Sequence, residues 1–162
     1  VDVLIYATGF QWMATSTFNM ITGENGQTLK EKWETEGTKT FLGLHSKGFP
    51  NLFIISGPQG GGGQFNFTRI IESHSDYVIW MLKTLRERGA TKVDVETKAE
   101  NEYAEHCKIA DIKTRPLRDC ISYYNGHGEG EPGSLAYYGG AQKWHEHREE
   151  AQKTLKPYVF DE

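Results

Sequence analysis

Leu52-Phe53-Ile54-Ile55-Ser56-Gly57-Pro58-Gln59-Gly60-Gly61-Gly62-Gly63-Gln64 passes from an unbroken apolar run into a glycine loop. The apolar half has the pattern of a strand buried on both faces, entered through the turn residues Gly48-Phe49-Pro50-Asn51. From Phe67 onward, Ile70, Ile71, Tyr77, Val78, Met81, Leu82 and Leu85 recur at helical spacing until Gly89, a natural C-terminal stop. Strand, glycine loop and helix in this order bring backbone N–H groups at a helix N-terminus toward an anionic or electron-rich ligand edge. The loop is not a Walker sequence, because no Lys-Ser/Thr follows it. As a dinucleotide fingerprint it fails too, since Asn66 stands where the third glycine belongs. On these residues alone, a flexible surface loop is an equal reading.

Working outward, Val3 to Ala7 is an apolar run with β-branched members that stops at Thr8-Gly9, the pattern of a central buried strand. Leu29 and Trp33, four apart among charges, predict a short surface helix over 26–33, and Thr40 to Leu44 a further strand. Lys92 to Glu96 alternates Val93 and Val95 with charges, as an exposed or edge strand does. A polar helix follows over 98–112, ending before Arg115-Pro116, and a last helix covers 141–155. Between them, the glycines from Gly126 to Gly133 with Pro132 make a long irregular loop. Alternating strands and helices, without an internal repeat or linker, make the fold class α/β within one domain.

The 162 residues carry 18 basic and 22 acidic side chains, a net charge of -4, so nothing offers the basic excess that nucleic acid needs. No run approaches the roughly 18 apolar residues of a membrane span. Cys107 and Cys120 form no C-x-x-C pair and read as buried thiols of a reducing, cytoplasmic compartment. Because Val1 stands first and Val1 to Tyr6 is already a strand in progress, the chain is expected to be part of a longer product.

Histidines 45, 74, 106, 127, 145 and 147 are candidates for chemistry. His145 and His147 point about 200° apart around a helix and cannot chelate one metal from it. His74 falls on the apolar stripe of the long helix, which suits a satisfied core histidine better than a catalytic base. His106 beside Cys107 suggests nothing unless a distant partner joins them. No serine sits in a G-x-S-x-G elbow, and no carboxylate pair is framed by apolar residues. Tyr123, Tyr124, Tyr137 and Tyr138 flank the glycine-rich loop and suit either a planar cofactor or ordinary packing. The residues by themselves lead to a ligand-binding α/β unit and no further.

Three stretches together resemble the C-terminal part of the flavin-dependent Baeyer-Villiger monooxygenases, over nearly the whole chain. Asp2-Val3-Leu4-Ile5-Tyr6-Ala7-Thr8-Gly9-Phe10 is similar to the family's ATG motif, where the chain returns from the NADP domain to the FAD domain. Gly48 to Pro58 followed by Ile71-Glu72 is similar to its strand, flavin-facing loop and helix. Ser122-Tyr123-Tyr124-Asn125-Gly126 with Pro132-Gly133 resembles the loop that folds over NADP, with Tyr123 in the place of a tryptophan and Gly128 and Ser134 in those of an asparagine and a lysine.

The resemblance implies the C-terminal part of a two-dinucleotide-binding-domain, Rossmann-like flavoprotein. Residues 1–162 would belong to its FAD domain, with the ATG return segment at 1–11, a flavin and substrate loop at 56–68 and an NADP-responsive loop at 120–140. It implies cofactor contacts at Ala7, Thr8, Gly9, Asn66, Phe67 and Tyr123. It implies a substrate pocket lined by Gln59, Gly60, Gly61, Gly62, Gly63, Gln64 and Phe65, and no metal. The implied reaction reduces FAD with NADPH, activates O2 and converts a ketone to an ester or lactone. Neither glycine-rich fingerprint nor the family's flavin-side arginine is present, so no catalytic residue is assigned. The partner N-terminal FAD and NADP domains are expected elsewhere in the same chain, and the 162 residues alone are expected to be inactive. Two other readings stay open, a flavin monooxygenase acting on nitrogen or sulfur and a non-catalytic ligand-binding module.

Overall fold

The longest helix organises the rest. In the computed structural model, which describes residues 1–8, 17–61, 66–114 and 135–161, helix α3 spans Phe67–Arg88. It begins at an Asn66 cap and ends at Gly89, whose left-handed φ of 68° lets its N–H turn back to the Leu85 and Arg86 carbonyls. Its apolar stripe of Ile70, Tyr77, Met81 and Leu85 is buried, and Phe41, Leu42, Leu44, Tyr103 and Trp144 pack with it in one core. The other described helices are α1 (Thr17–Met20), α2 (Leu29–Glu36), α4 (Thr97–Thr114) and α5 (Ala141–Thr154).

Strand β1 (Lys92–Val95) pairs antiparallel with β2 (Tyr158–Asp161), Val93 opposite Phe160 and Val95 opposite Tyr158. An exposed or edge strand was expected here, yet Val93, Asp94 and Val95 are all buried. Asn51 accounts for that. Its N–H donates to the Val93 carbonyl at 2.9 Å, and its side-chain oxygen accepts from the Val93 N–H at 3.0 Å, so the free edge of β1 is capped.

The three other expected strands do not form among the described residues. Residues 1–8 form no regular element and are exposed, Val3 at 75% and Ile5 at 83%. An apolar run becomes a strand only when a neighbour satisfies its backbone, and none does so here. Between Phe41 and His45 the chain makes a tight bridge, with Leu42 at φ 58° and Gly43 at φ 72°, so 40–44 turns instead of extending. Leu52 to Ser56 is tied to this turn by the Ile54 N–H donating to the Leu44 carbonyl at 2.8 Å, and Ser56 at φ 56° ends any ladder. The mixture of helix and strand is compatible with α/β, its two strands forming one antiparallel pair.

Two buried polar networks lock the elements together. Lys32 on α2 and Glu100 on α4 are 5% and 2% exposed in their side chains. The Lys32 ammonium donates to both Glu100 oxygens at 2.9 Å, to Ser46 Oγ at 3.0 Å and to the Lys47 carbonyl at 2.9 Å. Glu100 also accepts from the Lys47 N–H at 2.8 Å, so each charge meets several partners inside the protein. In the main core, Tyr77 donates to the Tyr158 hydroxyl at 2.6 Å, and the His45 Nε2 lies 2.9 Å from the Tyr77 oxygen. Because the Tyr77 proton is committed to Tyr158, His45 donates here, and burial holds its pKa down to about 4. No described helix is long and apolar enough to cross a membrane.

Candidate functional site

Residues 56–61 leave the main core as a loop that four other segments hold. Gln59 is buried despite its polar side chain. Its Oε1 accepts from the Thr40 N–H at 2.9 Å and the Thr40 hydroxyl at 3.0 Å, while its Nε2 donates to the Thr38 carbonyl at 3.1 Å. Its own N–H donates to the Leu135 carbonyl at 3.0 Å, and its carbonyl accepts from the Tyr103 hydroxyl at 2.9 Å. All four polar groups are therefore paired, as burial demands. The neighbouring Gly60 lies so close to Gly43 that a side chain on Gly43 would collide with the Gly60 backbone, so two loops pack backbone to backbone.

His74 fixes this loop to α3. The Ser56 N–H donates to its Nδ1 at 3.0 Å, which places the ring proton on Nε2, 3.2 Å from the Gly60 carbonyl. Both ring nitrogens are satisfied, and burial holds the pKa down to about 4. The structure therefore makes His74 a neutral structural clamp, as its place on the apolar stripe predicted.

Beside the clamp, the start of α3 faces a cavity of about 120 Å³ whose lining includes Gly60, Asn66, Arg69, His74, Trp144 and His145. Asn66 Oδ1 accepts from the N–H groups of Thr68 at 3.1 Å and Arg69 at 3.3 Å, leaving Phe67 outside the cap, and the Phe67 ring is 62% exposed. The positive helix end, Arg69 and an exposed aromatic ring can receive an electron-rich edge of a planar ligand. At about 120 Å³ the cavity is smaller than the roughly 300–1,000 Å³ that encloses a whole cofactor. The residues present fit one edge of a flavin and do not enclose the whole of it.

Of the sequence-predicted site residues, Gly60, Gly61, Asn66 and Phe67 gather around the start of α3, with Gly61 against Ile70. Gln59 is in the same loop, but its side chain turns to Thr38 and Thr40. Ala7 and Thr8 lie in the exposed N-terminal coil. Gly9, Gly62, Gly63, Gln64, Phe65 and Tyr123 lie outside the described residues, as do Cys120, Tyr124 and most of the 120–140 loop. Cys107 is buried as expected. Sequence reasoning missed Trp144 and had His145 only as one of six candidate histidines; α5 brings both to the cavity from some 80 residues away with no local signal of where they go. It also missed Arg69, which the helical register after Asn66 could have placed on the same side. Among the described residues, no group of three or more His, Cys, Asp or Glu side chains is placed to hold a metal ion.

No protein-family model matches the chain. Individual relatives do. The chain is 32% identical over 172 aligned residues to the Baeyer-Villiger monooxygenase peniC of Penicillium patulum, covering 96% of this chain and 28% of that protein. It is 34% identical over 151 residues to neopentalenolactone D synthase of Streptomyces avermitilis, covering 86% and 25%. Among solved structures it resembles an oxidised steroid monooxygenase bound to NADP, with 29% identity and a TM-score of 0.76 over 87% of this chain and 26% of that one. A closed structure of cyclohexanone monooxygenase, at 21% identity and a TM-score of 0.76, shares the fold. The chain thus spans about a quarter of the length of the relatives it matches.

Proposed function

The chain belongs to the Baeyer-Villiger monooxygenase family, and from that premise we propose that it forms part of an FAD- and NADPH-dependent enzyme converting ketones to esters or lactones with O2. The observation that carries this is 32% identity to a Baeyer-Villiger monooxygenase over 96% of the chain. In this reading residues 1–162 form the C-terminal part of the FAD domain, in a Rossmann-like protein with two dinucleotide-binding domains. The N-terminal FAD and NADP portions lie in further sequence. Residues 1–11 are the ATG return segment, 56–68 the flavin and substrate loop, and 120–140 the NADP-responsive loop.

The bound flavin supplies hydride acceptance and oxygen activation, chemistry that no amino-acid side chain provides. The chain's own residues orient and shield it. Asn66 fixes the first turn of α3, where the Phe67 backbone would meet the flavin, and Ala7, Thr8 and Gly9 would contribute contacts from the N-terminal segment. His74, neutral and doubly bonded, keeps the 56–61 loop at a constant height over α3. Gln59 positions that loop from within, while Gly60 to Phe65 line the ketone pocket and Tyr123 contacts NADP. Packed over the start of α3, this loop would shield a bound flavin from water.

The test is to produce the complete reading frame that encodes these residues and measure NADPH consumption with a panel of ketones, thioethers and amines. Ketone-dependent consumption with ester or lactone formation is expected. Oxidation of thioethers or amines without ketone turnover would move the protein to the nitrogen- and sulfur-oxygenating class, and a complete protein that holds no flavin would leave a non-catalytic binding unit. The 162-residue chain alone is expected to show no stoichiometric FAD binding by flavin fluorescence quenching.

A further inference from the structure

His106 on α4 and His147 on α5 face one another across the groove between the two helices, their Nε2 atoms 3.1 Å apart. The rings are half-buried and meet at 68°, with centroids 4.5 Å apart. A straight N–H···N bond would hold the centroids roughly 5 Å apart or more. The contact between the two rings is therefore bent rather than straight. The His106 Nε2 also lies 3.2 Å from the Tyr137 hydroxyl. A neutral imidazole nitrogen has either one proton or one lone pair, so this atom cannot make a well-directed hydrogen bond to both neighbours in either tautomer.

A cation between the rings removes that conflict by taking both lone pairs. With metal–nitrogen bonds of about 2.0–2.1 Å, a 3.1 Å nitrogen separation corresponds to an angle of about 100° at the metal, between square-planar and tetrahedral values. The pair opens into a cavity of about 340 Å³ lined also by Glu102 and Glu150, with Tyr103 and Lys156 on its wall. That volume holds several waters, at about 30 Å³ each, to complete the coordination shell beside the Tyr137 hydroxyl.

We propose that His106 and His147 form a two-imidazole site that binds one divalent first-row transition-metal ion, of the Zn2+, Ni2+ or Cu2+ class, with water in the remaining positions. The ion bridges α4 and α5, two elements 41 residues apart in sequence that α3 also supports. The charged surroundings suit a divalent cation. Glu102 and Glu150 line the cavity and Glu146 lies near His147, against Lys143 and Lys156. The site does not depend on the flavin reading, since none of its residues lines the cavity at the start of α3.

The test is titration of the 162-residue chain with Cu2+ followed by electron paramagnetic resonance, and with Zn2+ followed by the imidazole 15N resonances. One saturable ion per chain at micromolar concentration is expected, with hyperfine coupling to two nitrogens. His106→Gln and His147→Gln should each weaken binding more than about tenfold, the lower end of what even outer-sphere losses cause, with far-UV circular dichroism unchanged. The 15N experiment needs no variant. Movement of two Nε2 resonances on Zn2+ addition supports the site, and movement of none overturns it. Equal affinity in wild type and both variants, or no saturable binding, would also overturn it.

Discussion

Lowering the pH from 7 to 5 should destabilise this protein through His74, and the amount follows from the clamp it forms. His74 is held neutral with a pKa of about 4, against 6.5 for the same group in an unfolded chain. The folded pKa is depressed, so the unfolded state binds the extra proton between these values and stability falls as pH falls. The contribution is complete above pH 6.5 and is lost progressively down to pH 4. Working the two titrations against each other gives about 2 kcal/mol lost between pH 7 and pH 5 from this one ring. His45, also held at about 4, adds a similar loss, roughly 4 kcal/mol for the pair.

Replacing His74 by Asn keeps an oxygen to accept from the Ser56 N–H and leaves the Gly60 carbonyl without its donor. The variant should start about 1–3 kcal/mol less stable at pH 7 and then lose only about half as much on acidification. Urea unfolding of wild type and variant at pH 7 and pH 5 reads both quantities. If the two proteins lose the same free energy between these pH values, His74 is not a buried neutral clamp and its assigned tautomer is wrong.

Four further outcomes are expected. Glu100→Gln should cost about 3–5 kcal/mol by leaving the buried Lys32 ammonium without its counter-charge, a fall in Tm of roughly 6–20 °C for a chain of this size. Lys32→Met with Glu100→Leu should recover most of that in thermal unfolding, because the desolvation cost leaves with the pair. Asn66→Ala should cost about 1 kcal/mol in urea unfolding by uncapping the Thr68 and Arg69 N–H groups at the start of α3. Gly60→Ala puts a methyl group 2.7 Å from His74 Cε1 and should cost about 1–3 kcal/mol; the cost should shrink in a His74→Ser background, measured as a double-mutant cycle.

The helices were the legible part of this chain. The stripe from Ile70 to Leu85 and the stop at Gly89 located α3 within a residue, and the polar runs located α4 and α5 nearly as well. Even the role of His74 followed from its phase on that stripe. The apolar runs at 3–7 and 52–56 misled, because a strand's hydrogen bonds close on another segment and an apolar run does not say which. The partner of β1 lay at 158–161, where Tyr158, Val159 and Phe160 favour a strand but do not say what it pairs with.

The candidate site divides in the same way. The glycine loop, Asn66 and Phe67 were visible as the entry to a helix, and three motifs in order carried the family resemblance. Only tertiary structure turned the Gln59 side chain onto Thr38 and Thr40, brought Trp144 over the start of α3 and set His106 against His147. What the sequence by itself determined are properties that close within a few residues: helical periodicity, caps, turn chemistry and the order of motifs. What the tertiary structure decided are pairings across 19 to 81 residues, among them Gln59 with Thr40, Lys32 with Glu100 and Tyr77 with Tyr158. Which distant groups meet depends on how the packed helices are oriented, and local spacing does not encode that orientation.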